Sequence, residues 1–215
     1  MYRPILFTGM ALLMSTVAVA NTGAGFHKKT LGMTPETIAA ATVVEDDALE
    51  SKAVLSTQYA PTKGKKRPGQ LKDRAYLKAV VDKASGVVSY EVQQIIHYPG
   101  DQREYSSAQY LAPAGLRQVE LTDARHGIQD CTSNDQYVPS CTRTKYVGFA
   151  INEADLKAIA ATYRVGDPGN FTFKFKESSG VDYTSGLVAA EVAGLLKAVA
   201  NYQQSISTAV APPSS

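Results

Sequence analysis

"FTFKFKES", residues 171–178, decides the fold. Phe171, Phe173 and Phe175 alternate with Thr172, Lys174 and Lys176. Successive strand side chains point to opposite faces, so this segment has one apolar face and one charged face. It predicts a strand from a sheet covered on one side. The cover is predicted by its neighbours. Upstream, "NEADLKAIAATY" (152–163) places Leu156, Ile159, Ala160 and Tyr163 at helical spacing, with Asn152 as N-cap and acids in the first turn. Downstream, "SGLVAAEVAGLLKAVANYQQ" (185–204) repeats Val188, Val192, Leu195, Val199 and Tyr202 in steps of four and three. That is one apolar stripe, suited to docking on a sheet.

Before residue 152 the period is mostly two. "AYLKAVVD" (75–82) puts Ala75, Leu77, Ala79 and Val81 on one face. "VVSYEVQQIIHY" (87–98) puts Val88, Tyr90, Val92 and Ile96 on one face and Ser89, Glu91, Gln93 and His97 on the other. "ALESKAVLSTQ" (48–58) and "EYSSAQYLA" (104–112) read as further strands. "LRQVELTDARHGIQ" (116–129) loses its apolar phase after Leu121, which signals a bulge. "TRTKYVGFAI" (142–151) aligns Val147, Phe149 and Ile151.

Strands followed by a helix, a strand and a helix do not alternate as a doubly wound fold requires. The expectation is one α+β domain over residues 48–206. It has a curved, mainly antiparallel sheet of about six or seven strands, with two helices (about 153–163 and 186–204) against one face. Residues 21–47 read as a flexible tether, with a short helix over 35–41 capped by Thr34. Residues 207–215 read as a disordered tail.

The first twenty residues, "MYRPILFTGMALLMSTVAVA", carry Arg3, an apolar run over 5–19 and a small-residue ending at Ala18, Val19 and Ala20. This is the layout of a secretory signal peptide cleaved after Ala20. The competing reading is an uncleaved anchor, but the apolar run is short beside the roughly 20 residues of a span. No second apolar stretch of spanning length follows. The mature chain is expected to be periplasmic or secreted.

The chain has two cysteines, Cys131 and Cys141. In an exported protein their simplest fate is a disulfide across a turn-rich loop. A Cys-x-x-Cys redox site needs tighter spacing, and a zinc site needs about two more ligands. Metal and cofactor are therefore not expected.

A formal net charge of +2 gives no electrostatic reason to expect nucleic acid. No nucleophile elbow, Walker loop, dinucleotide fingerprint or His-Glu-x-x-His motif is present. The candidate binding residues are Lys63, Lys65, Lys66 and Arg67, which form the densest charge in the chain, together with His97 and His126. The basic run suits an anionic surface, an acidic envelope protein or a small ligand. Adjacent strands could bring His97 and His126 together, with Asp123 or Asp130. Asp182 and Ser185 are placed at the N-terminus of the last helix, as a cap or an anion contact. Tyr90, Tyr98, Tyr105, Tyr110 and Tyr146 fall in strands, where packing is their ordinary role.

No family resemblance emerges from these residues. The functional expectation is a non-enzymatic exported binding or envelope-accessory domain. The alternative is a small periplasmic hydrolase using His97 or His126. A secreted inhibitor or effector would share the features of the first reading.

Overall fold

The computed structural model describes residues 32–58, 73–112, 115–127, 130–132, 140–167 and 169–210. The chain order is α1 (Pro35–Ala41), β1 (Val43–Glu45), β2 (Lys52–Ser56), β3 (Arg74–Asp82), β4 (Val88–Pro99), β5 (Tyr105–Ala112) and β6 (Gly115–His126). It continues with β7 (Asp130–Thr132), β8 (Ser140–Ile151), α2 (Glu153–Ala160), β9 (Phe171–Glu177), β10 (Tyr183–Leu187) and α3 (Ala189–Val210). Nine strands form one antiparallel path in the order β1-β2-β3-β4-β8-β6-β5-β9-β10, and β7 pairs with β8 alone.

The α+β class and the curved antiparallel sheet hold. The counts differ: ten strands among the described residues rather than six or seven, and three helices rather than two. The extra strands are short. β1 and β7 have three residues each and β10 has five, too few for a period of two to stand out. β1 and α1 lie in the segment read as a tether. α1 is held by a capping box between Thr34 and Thr37, and Ile38 is fully buried. It packs so closely on α3 that a Cβ on Gly194 would sit 2.4 Å from Ile38. The last helix starts at Ala189 because residues 183–187 pair with β9, and it runs to Val210, into the segment read as tail. The signal-peptide segment, the basic run and residues 211–215 lie outside the described residues.

The sheet curls on itself. The Tyr183 hydroxyl of β10 donates to Asp73, beside the start of β3, at 2.6 Å. The alternating residues of each strand fill the curl: Leu77, Ala79 and Val81; Tyr90, Val92 and Ile96; Val147 and Phe149; Phe171, Phe173 and Phe175. α2 closes the end where β8 finishes. There the Tyr110 ring stacks on Phe149 at 5.6 Å, and its hydroxyl donates to Asp155 of α2 at 2.9 Å. α3 covers β2 and β3 with the predicted stripe, Val192, Leu195, Val199 and Tyr202.

The strand order leaves one connection with a constrained path. β4 and β5 are consecutive in sequence but three places apart, with β8 and β6 between them. At about 4.8 Å per strand spacing the gap is roughly 14 Å. Residues 100–104 span it and so cross the open end of the curl, above the start of β8 and the end of β6.

Candidate functional site

The crossover lands on a buried charge. Lys145 of β8 has no solvent exposure. Its inward direction follows from the alternation that also points Val147, Phe149 and Ile151 inward. Its Nζ donates to Glu104 Oε2 at 2.9 Å and lies 2.8 Å from His126 Nε2. Glu104 Oε1 lies 2.9 Å from the same Nε2. The Gln102 amide completes the group, with Nε2 at 2.8 Å from both Glu104 Oε1 and His126 Nε2. Gln102 and Glu104 come from the crossover, His126 from β6 and Lys145 from β8.

His126 reaches this cluster because of the bulge. The β6–β8 register shifts between Leu121 and Asp123. Leu121 opposes Phe149 on the inner face. Past the bulge Ala124 opposes Val147 and His126 opposes Lys145, also on the inner face. Unbroken alternation from Leu121 would have turned Arg125 inward and His126 out. Instead Arg125 lies outside, paired with Asp123 at 2.8 Å and over the Tyr146 ring.

Burying an ammonium is costly unless it is paired and hydrogen-bonded. Glu104 supplies the pairing, although its side chain is 55% exposed. Lys145, Gln102 and His126 together hold its carboxyl at about 2, well below the ordinary 4.5. His126 Nε2 carries at most one proton. With it, the ring donates to Glu104; without it, the ring accepts from Lys145 or Gln102. The short contacts cannot all be hydrogen bonds at once, so proton position and ring tautomer are coupled.

Around the cluster the same end is cationic and aromatic. The Arg103 guanidinium lies 4.9 Å from the centre of the buried Tyr98 ring, and the Tyr98 hydroxyl accepts from the Arg103 backbone N–H. Arg143 donates to the Gly100 carbonyl at 2.7 Å. The Cys131–Cys141 disulfide joins β7 to β8 just beyond, with the two residues directly opposed.

His97 is elsewhere. It opposes Thr144 on the outer face, and adjacent residues of β8 project oppositely, so the sheet separates it from His126. Its Nδ1 lies 3.0 Å from Thr144 Oγ1, but Thr144 is buried, and Asp73 accepts from the His97 backbone N–H rather than from the ring. Burial lowers the His97 pKa, with Asp73 acting against that. Asp123 is engaged with Arg125, away from both imidazoles. Asp182 and Ser185 do not start the last helix. Asp182 pairs with Lys176, and Ser185 lies in β10 opposite Phe173, because residues 178–182 turn the chain into a hairpin at Gly180, where φ is 88°. Lys63, Lys65, Lys66 and Arg67 lie outside the described residues.

Sequence reading missed Lys145 and Glu104. Lys145 had a signal: a lysine in phase with Val147, Phe149 and Ile151 is a charge on an apolar face. Glu104 had none, since its place depends on strand order.

No protein-family model matches the chain, and neither a curated protein nor a solved structure matches it. Among the described residues no group of three or more His, Cys, Asp or Glu could hold a metal ion. Nor is any helix there long and apolar enough to cross a membrane.

Proposed function

We propose that this chain is an exported binding domain of the periplasm or extracellular space, with its ligand contact at the open end of the curled sheet. The apolar N-terminal segment ending at Ala20 and the Cys131–Cys141 disulfide support export. Lys145 carries the binding reading. A fully buried cation is neutralised from a crossover by one half-exposed carboxylate, with Arg103 and Arg143 nearby. The Glu104 carboxyl, held well below its ordinary range by this lysine, marks the cluster as a functional-site candidate. The basic residues Lys63, Lys65, Lys66 and Arg67 are proposed as contacts for an anionic surface or an envelope protein.

A thermal-shift screen of the exported protein against small polar metabolites tests this reading. The expected result is a class of compounds that raises the unfolding midpoint of the wild type and not of Lys145→Met. A screen in which nothing distinguishes the two proteins would sink it. Intact mass should place the mature N-terminus at Asn21.

The hydrolase reading keeps one supporting observation, the 2.9 Å approach of His126 to Glu104. On this geometry it rests on that pair and not on His97. Turnover of an ester, amide or phosphate substrate that vanishes in His126→Asn would favour it.

A further inference from the structure

Glu104 is bound as a ligand would be. One carboxylate oxygen lies 2.9 Å from the Lys145 ammonium; the other lies 2.8 Å from the Gln102 amide and 2.9 Å from His126 Nε2. Lysine and the glutamine amide donate in every accessible protonation state, and the imidazole joins them when Nε2 carries a proton. A buried ammonium at the base and two further nitrogen groups at the rim match the two oxygens of a planar carboxylate. Arg103 and Arg143 add positive charge at the same end, against Asp101 on the crossover.

The carboxylate that fills this arrangement comes from the crossover, whereas the lysine comes from the sheet. Lys145 is fully buried in the central strand, while the Glu104 side chain on the crossover is 55% exposed. We propose that the Lys145 pocket is a carboxylate-binding site that the protein occupies with its own Glu104, and that the natural ligand presents a carboxylate which displaces it. This rests on the binding-domain reading and names the ligand class. A tethered competitor acts at a local concentration on the order of millimolar or more, so free monocarboxylates bind the wild type weakly. Removing the competitor strengthens their binding.

The test is rescue of Glu104→Ala by acetate. The unfolding midpoint of this variant is measured in sodium acetate, sodium chloride and acetamide at equal concentration. Acetate at about ten times its dissociation constant should raise it by roughly 3–6 °C. Chloride and acetamide should fall short, and Glu104→Ala/Lys145→Met should not respond. Acetate no better than chloride, or rescue that persists without Lys145, overturns the proposal. Should Glu104→Ala fail to fold, Glu104→Gln keeps the shape. Its acetate affinity, read from the His126 imidazole resonances, should exceed that of the wild type about tenfold or more, and equal affinity overturns the proposal. Rescue reads the pocket alone and the thermal-shift screen reads the natural ligand, so each can fail without the other.

Discussion

The two ends of the curl are held by different physics. At the α2 end, Tyr110, Phe149, Phe171, Phe173 and Phe175 form one aromatic cluster with ring centres 5.5–5.8 Å apart. At the crossover end, four positions back along β8 and about 13 Å away, the same inner face carries Lys145, with Glu104, His126 and Gln102. One end excludes water and draws its stability from area and packing. The other keeps a charge below the surface and depends on a half-exposed partner and a disulfide. Apolar packing is concentrated at the first end, and polar contacts at the second.

The largest expected effect belongs to the packed end. Phe149→Ala removes a ring that meets Tyr110, Phe173 and Phe175, and should cost about 3–5 kcal/mol in urea unfolding. A loss below about 1 kcal/mol would break the contrast. At the polar end an asymmetry is expected. Glu104→Ala leaves Lys145 buried without its acid and should cost about 2–4 kcal/mol, while Lys145→Met should be neutral within about 1 kcal/mol or stabilising. Equal losses from the two variants would mean that the pair is structural and not a replaceable contact. Cys131→Ser/Cys141→Ser opens a short loop and should cost about 2.5–3 kcal/mol. Tyr110→Phe removes one hydrogen bond from a buried carboxylate that keeps Asn152 as a partner at 2.8 Å, and should cost about 1–1.5 kcal/mol.

A pH dependence in two stages is also expected. The folded His97 pKa lies below its ordinary 6.5, so its contribution is complete above that pH and fades as pH falls through the folded value. Glu104 is depressed from 4.5 to about 2, so its contribution is complete above about 4.5 and is lost as pH falls towards 2. Urea midpoints between pH 8 and 2 should show both stages, and His97→Asn should remove only the upper one.

Much of the fold was legible in the sequence. The inner faces of β3, β4 and β9 were read correctly because each is long enough to show its period, and the slip after Leu121 gave the bulge. The N-cap Asn152 located α2, although the helix ends at Ala160, before Tyr163. β10 was missed because "YTSGL" has no alternation of its own and borrows its order from β9. The site was less legible than the fold. Lys145 was visible as a charge out of place. The contact with Glu104 was not, because it depends on β8 entering between β4 and β6, which no local pattern encodes. His97 and His126 looked equivalent in the chain, and the bulge sends them to opposite faces.

The place of β8 also has a consequence in time. It is the central neighbour of β4 and β6, yet it is made after both. While the chain is synthesised, β4 shows an unpaired edge until residues 140–151 are available, and β5 waits longer for β9. Pairings between distant segments form slowly, and open edges invite association with other chains. The nascent chain therefore cannot close its sheet early. A polypeptide with this strand order completes its sheet only after most of its length has been made.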